Sequence, residues 1–395
     1  MTIKDRVLIA GAGPVGMVAA ANLVRRGVPV TVLEANATLS KESRASTFHP
    51  PTLDMLHDLG AAEALISQGL IAPQFQYRTK RDGVIAQFDF AGIADATAHP
   101  FRLQCEQSKL TRILLDRLRG NGNFEIVFSS PVRGVTQTAD GVEVAVMRNG
   151  RTDTETARWL IGADGARSET RGALGAEFEG FTWPERFLVV STAFDFHAVM
   201  EGLVSVNYVA DPQRWHFLLQ IPGLWRIMFP IAADESDDLA LSSEFAQSLM
   251  AQLVPGIDRY EIAHTTLYRV HQRVATTFRR GRAFLIGDAA HINNPLGGMG
   301  MNGGIHDAIN LTDRLAAVWH GSKGDAELDR FEKQRRLVTK EYVEKQSIQN
   351  KKNLEAPGNE FRDRLAAIAA DPSKTRDYLL AVSMISSLRR AQELG

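Results

Sequence analysis

The chain has 395 residues, too many for one ordinary core and suited to two intimately joined domains. Hydrophobic residues make up 44% and charged residues 23%, and a net charge of −1 argues against a polyanion such as nucleic acid as partner. One cysteine, Cys105, excludes an internal disulfide and fits a reducing cytoplasm, and no Cys/His group has zinc spacing.

The first elements read as a βαβ unit. RVLIA (6–10) is a buried strand, GAGPVG (11–16) a turn, and MVAAANLVRRG a helix stopped at Gly27. VPVTVLEA (28–35) is a second strand ending in an acid. The apolar stretch from Val7 to Val24 is broken by its glycines and Pro14, so neither membrane insertion nor a signal peptide is expected. Residues 43–69 hold a loop with a proline pair and then helical periodicity. Residues 74–90 alternate as short strands around the turn KRDG. A helix is expected at 106–120, strands across 124–150 with a D-G turn, and an apolar strand in ARWLIGADG (157–165). From about 180 to 270 the segments FLVVSTAF, LVSVNYVA, WHFLLQI and WRIMFPI predict an inserted antiparallel sheet. AFLIGDAAH (283–291) restores an apolar strand, and helices follow to Gly395, with breaks at Pro357 and Pro372.

GAGPVG carries the first chemistry. Gly11 permits the tight turn, Gly13 lets a pyrophosphate approach the backbone, and Gly16 lets the helix pack closely. The helix start, Pro14 and Val15, offers free N–H groups to phosphate. Glu34, followed by Ala35, stands where an acid can hold ribose hydroxyls, so this unit predicts a dinucleotide. The loop alone does not separate NAD from FAD.

Two more motifs follow: GADGARSETR (162–171) and GDAAHINNPLGGMGMN (287–302). With GAGPVG and Glu34 they resemble the FAD-dependent aromatic hydroxylases, single-component flavoprotein monooxygenases typified by para-hydroxybenzoate hydroxylase. The resemblance runs from residue 6 to about 345. It implies an α/β fold: a Rossmann-like FAD-binding domain of the GR2 type, an inserted antiparallel β-sheet substrate domain and C-terminal helices. The discontinuous FAD domain would comprise 1–73, 102–178 and 271–345, the substrate domain 74–101 and 179–270, and the helical tail 346–395. By the same resemblance Asp288 meets the ribityl chain, and the segment from Pro295 through Gly298 lies along the flavin ring. N–H groups around Gly300, Met301 and Asn302 would stabilise negative charge on the reduced ring. Arg44, Gln107 and Asp164 are further cofactor positions, with Ser168 and Arg171 completing the Asp-Gly motif. His291 reads as a scaffold residue and Cys105 as packing.

The resemblance also implies a reaction. NADH or NADPH, as a transient donor, reduces FAD; O2 then forms a flavin C4a-hydroperoxide, and one oxygen reaches an electron-rich ring. Substrate-side candidates are Tyr208, His216, Trp225, Arg226 and Pro295. A small aromatic or heteroaromatic ring, phenol- or hydroxypyridine-like, is the expected substrate, with a monomer and a homodimer both open. Two other readings stand beside this one: an FAD-dependent reductase or dehydrogenase of the same fold, and a non-catalytic FAD-binding sensor. A flavin-dependent halogenase fits poorly, because GLWRIMFP (223–230) departs from the halogenase stretch G-W-x-W-x-I-P.

Overall fold

The computed structural model describes residues 2–41, 45–254, 256–355 and 359–395. Four-residue, mostly apolar runs (VLIA, VTVL and WLIG), buried throughout, suit a central parallel sheet covered by helices. That sheet has six strands in the order 279–280, 283–285, 159–162, 7–10, 30–33 and 124–127. All are parallel except 279–280, which pairs antiparallel with 283–285. Strand Val7–Ala10 lies between Trp159–Gly162 and Val30–Leu33, so successive connections leave it in opposite directions. A crevice at the carboxyl ends of such strands is where open α/β sheets bind ligands.

Helix Pro14–Arg25 leaves the first strand and packs on helix Met299–Trp319. Asn22 fixes the pair, donating from Nδ2 to Thr312 Oγ1 at 2.8 Å and to Asp313 Oδ1 at 2.7 Å.

The second sheet has eight strands in the order 291–292, 262–275, 178–192, 224–231, 216–221, 206–210, 74–79 and 83–89. The expected strands around 74–90 and 180–231 are present. Two features differ from the sequence reading. Strand Phe178–Thr192 begins at the expected boundary near residue 178, whereas strand Ile262–Ala275 runs on across the one expected at 270/271. Residues 237–240 and 243–251 are helical within the stretch read as β-rich, capped by Ser236 and Ser242, whose hydroxyls accept from Leu239 N and Phe245 N.

The two faces of this sheet carry separate apolar clusters. One contains Phe75, Tyr77, Phe88, Tyr208, Met228 and Leu296, and is closed by Leu354, Phe361, Leu365 and Leu379 from the C-terminal helices. The other contains Leu188, Val209, Leu218, Trp225 and Ile227, covered by Leu249 and Met250 of helix Ser243–Ala251. Residues 326–355 form one run of helix interrupted by a π turn at Thr339–Glu344. The break expected at Pro357 lies outside the described residues, whereas Pro372 opens helix Pro372–Val382, with Asp371 as its cap.

Candidate active site

Three sequence motifs meet at the carboxyl end of the parallel sheet. Gly11 has φ +100°, and a side chain there would meet Ala163 O at 2.5 Å. At Gly16 a Cβ would stand 2.1 Å from Gly11 O, so the helix starts tight against the turn. Ala163 N donates to Ala10 O at 2.8 Å and Ile286 N to Gly162 O at 3.0 Å, carrying the contact across to the third motif. There, Val15 fills the space beside Gly287 and Gly304: a Cβ on Gly304 would meet Val15 Cγ2 at 2.6 Å and Gly287 Cα at 2.9 Å.

Gly13 behaves differently. It is the N-cap of helix Pro14–Arg25, and a Cβ there would meet no atom within 4 Å. The backbone is therefore open beside the helix start, whose first-turn N–H groups lack partners within the helix, an arrangement suited to a phosphate. Glu34 is buried beside this turn. Its Oε2 accepts from Ala12 N at 2.8 Å, and its Oε1 accepts from Asn36 N at 2.9 Å and Asn36 Nδ2 at 2.7 Å. Asn36, which no motif marked, fixes the acid's orientation. Ala35 is exposed at the strand end.

The Asp-Gly motif serves a structural purpose. Asp164 accepts from Ser168 Oγ, from Thr170 N at 2.9 Å and from Thr170 Oγ1 at 2.9 Å. Its carboxylate is thus oriented from within the chain by three donors. Arg171 donates to Ala289 O at 3.0 Å and Ala166 O at 2.8 Å, and stacks over Phe178 at 3.9 Å. It ties the second motif to the third.

In the third motif, Asp288 is exposed on a short helical turn. Beneath it lies a buried ionic group. Asp307 accepts from Gly287 N at 3.1 Å, from His291 Nε2 at 2.7 Å and from Arg335 Nε at 2.6 Å. Although burial alone would raise it, the charges of His291 and Arg335 hold the Asp307 carboxyl below its ordinary value. His291 is the scaffold histidine expected.

The following turn is held from several sides. Gly298 N donates to Pro295 O at 3.0 Å, and Gly298, with φ +66°, caps helix Met299–Trp319. Asn294 Oδ1 accepts from Leu296 N at 3.0 Å, while its Nδ2 donates to Ser347 O at 2.9 Å. Asn350 Nδ2 donates to Leu296 O at 3.3 Å and His49 Nε2 to Gly297 O at 2.7 Å. Burial, then the Arg102 charge, drives the His49 ring well below its usual range, so it is neutral. Asn302 spends its side chain internally: Oδ1 accepts from His49 N at 2.9 Å, and Nδ2 donates to Thr47 O at 2.8 Å and Gly298 O at 2.6 Å. The helix start still presents backbone N–H groups from Met299 to Met301.

Gln107 opens helix Gln107–Leu118, its N–H donating to Ala45 O at 3.1 Å. Next to it, Glu106 Oε1 accepts from Arg226 Nη2 at 3.3 Å, so the second sheet is tied to the start of this helix. Arg44 lies outside the described residues.

Contacts through Gly11, Ala163, Gly162, Ile286 and Val15 thus bring the three motifs together at one end of the parallel sheet. A family model described as FAD binding domain matches residues 4–346. The chain is 33% identical over 401 aligned residues to para-nitrophenol 4-monooxygenase of Pseudomonas sp. (strain WBC-3), with 98% of each covered. It is 34% identical to 6-hydroxy-3-succinoylpyridine 3-monooxygenase HspB of Pseudomonas putida (strain DSM 28022 / S16), over 96% of this chain and 98% of the relative. The crystal structure of p-nitrophenol 4-monooxygenase PnpA from Pseudomonas putida DLL-E4 superposes with a TM-score of 0.90 at 32% identity, covering 98% of this chain and 99% of that one.

The chain belongs to the FAD-dependent aromatic hydroxylases.

It is a flavoprotein monooxygenase, and the observed layers are those of its family. Among the described residues of this hydroxylase no acid, histidine or cysteine cluster could hold a metal ion, and no helix is long and apolar enough to cross a membrane.

The register of the second sheet sorts the substrate-side candidates. Tyr208 pairs with Phe217 and Tyr77, and Arg226 with Leu219, placing them on the face that also packs Leu296. Tyr208 stacks on Tyr77 with ring centres 5.2 Å apart. His216 pairs with Val209 on the opposite face, against Phe229. Buried there, with Nδ1 donating to Arg214 O at 3.3 Å and its pKa pushed down to about 4 by burial, His216 does not join the site. Trp225 shares that opposite face. Both are corrections set by the two-residue period of strands.

Three side chains on the inner face escaped the sequence reading. Tyr378, from helix Pro372–Val382, donates its hydroxyl to Tyr77 OH at 3.0 Å. Burial raises the Tyr378 phenol to about 12 and, with help from neighbouring tyrosines, lifts Tyr77 well above its ordinary value, so both stay protonated. Arg102, on strand Arg102–Gln104, donates from Nη1 to Tyr208 OH at 3.3 Å.

Proposed function

We infer that this hydroxylase places one oxygen atom from O2 on a small phenol- or hydroxypyridine-like ring, with NADH or NADPH as the electron source. Bound FAD would supply the redox chemistry, taking two electrons from the nicotinamide so that one oxygen atom enters the ring and the other leaves as water. The relatives at 33% and 34% identity are named for a nitrophenol and a hydroxypyridine, which supports this ring class.

One observation carries the reading: Leu296, inside the turn that follows the Gly-Asp motif, packs in the same buried cluster as Tyr77 and Tyr208. A ring lying on the tyrosine face would therefore adjoin the segment assigned to the flavin. Gly11, Gly13, Gly16 and Glu34 would hold the ADP half, Asp288 the ribityl chain, and the turn Pro295–Gly298 with the N–H groups of Met299–Met301 the ring. Gln107 would stand beside the cofactor, and Arg226 would bridge the substrate sheet to it through Glu106. The apolar cluster, closed by the C-terminal helices, would exclude water from the reacting atoms.

The test uses purified protein. Flavin absorption bands should be present, and phenols or hydroxypyridines should stimulate NADH or NADPH oxidation. With isotopically labelled O2, the product should carry one labelled oxygen. Stimulated oxidation without label in any product would replace this reading with a reductase.

A further inference from the structure

Among the described residues three arginines are buried: Arg102, Arg226 and Arg335. Arg335 is paired with Asp307 and Arg226 with Glu106. Arg102, 3% exposed, has no carboxylate within ion-pair distance among the described residues. One of its donors reaches Tyr208 OH at 3.3 Å, and its buried Nε has no acceptor. Its guanidinium lies over Phe75 at 4.7 Å and Phe90 at 5.4 Å. Cation–π contacts offset part of the desolvation, but an isolated buried charge costs several kcal/mol unless hydrogen-bonded and countered.

Its location gives this deficit a meaning. Leu103, the next residue, pairs with Phe48, and Phe48 precedes His49, whose ring holds Gly297 O. On its other side Arg102 touches Tyr208, in the cluster that includes Leu296. The cation thus stands between the ring-side turn and the tyrosine face. A packing role alone would be met by an apolar residue without the desolvation cost.

We propose that Arg102 is a specificity-determining residue that binds a planar two-oxygen group, a carboxylate or a nitro group, borne by the aromatic substrate. The guanidinium plane matches such a group with parallel donors; a carboxylate would also supply the counter-charge that Arg102 lacks among the described residues, whereas a neutral nitro group would offer its two oxygens as acceptors. Tyr208 shares the cation and orients it. This assignment rests on the hydroxylase reading above.

The experiment uses FAD-loaded wild type, Arg102→Gln and Arg102→Lys. Dissociation constants are read from flavin absorbance changes with 4-hydroxybenzoate, 4-nitrophenol and 4-methylphenol. Arg102→Gln should weaken binding of the carboxylate or nitro ring that the wild type prefers by roughly 10- to 100-fold, and of 4-methylphenol by less than about 3-fold. Arg102→Lys keeps the charge and loses the fork, so it should weaken the preferred ring by roughly 3- to 10-fold and leave 4-methylphenol unchanged. The lysine variant decides the matter if the glutamine variant does not fold. Equal weakening of all three rings, or no weakening of any, overturns the proposal. Failure of the wild type to transfer oxygen to any ring would instead sink the hydroxylase reading.

Discussion

Asp307 and Arg335 meet at 2.6 Å with both side chains buried, and the same carboxylate accepts from Gly287 N at 3.1 Å. An ion pair in the core therefore bears directly on the loop that displays Asp288. Asp307→Asn should leave Arg335 charged and poorly countered, costing about 3–5 kcal/mol of stability. Urea unfolding reads that loss. The variant should also release FAD more readily than the wild type, and unchanged flavin retention would separate the ion pair from the loop.

The glycines divide into two kinds that mutation can tell apart. A methyl on Gly304 runs into Val15 and Gly287, whereas one on Gly13 meets no protein atom. Gly304→Ala should therefore cost about 1–3 kcal/mol through overpacking. Gly13→Ala should melt like the wild type when stripped of flavin, yet hold FAD less tightly. Normal FAD affinity in Gly13→Ala would count against a pyrophosphate at that turn.

Three buried histidines set an acid limit. Burial lowers His306 to about 3 and His216 to about 4, and holds His49 well below the ordinary value of 6.5. Each is neutral when folded and takes a proton when unfolded below pH 6.5. Their contribution is complete above that pH and is lost as the pH falls toward 4, each adding up to about 1.4 kcal/mol per pH unit to the slope. Melting temperature should drop steeply across this window. His306→Gln, keeping a partner for the Thr52 hydroxyl that now sits 3.0 Å from Nε2, should flatten the decline. An identical slope in the variant would remove His306 from the account.

Local chemistry was legible in the chain, and long-range placement was not. The glycine spacing and Glu34 announced a dinucleotide turn because each residue acts on its immediate neighbours. Tyr378 and Tyr77 are joined only by the fold, and no local pattern marks either. Arg102 carries no motif; what singles it out is that no acid pairs with it among the described residues, which requires coordinates. His216 and Tyr208 looked alike as strand residues until cross-strand register put them on opposite faces. The helices at 237–251 were hidden by β-rich flanks, although Ser236 and Ser242 are ordinary capping residues. Asp164 matched a family position, and its oxygens accept from Ser168 and Thr170.

The π turn at Thr339–Glu344 separates Arg335, which serves Asp307, from Ser347 and Asn350, which serve the turn at 294–296. In an unbroken α-helix, Ser347 would sit about 120° around the axis from Arg335. The wider turn winds back much of that rotation, so one rod braces both the Asp307 group and the 294–296 turn from a single side. Removing one residue from that widened stretch would restore ordinary winding and swing one brace away from its load, while every side chain in contact with the cofactor kept its identity.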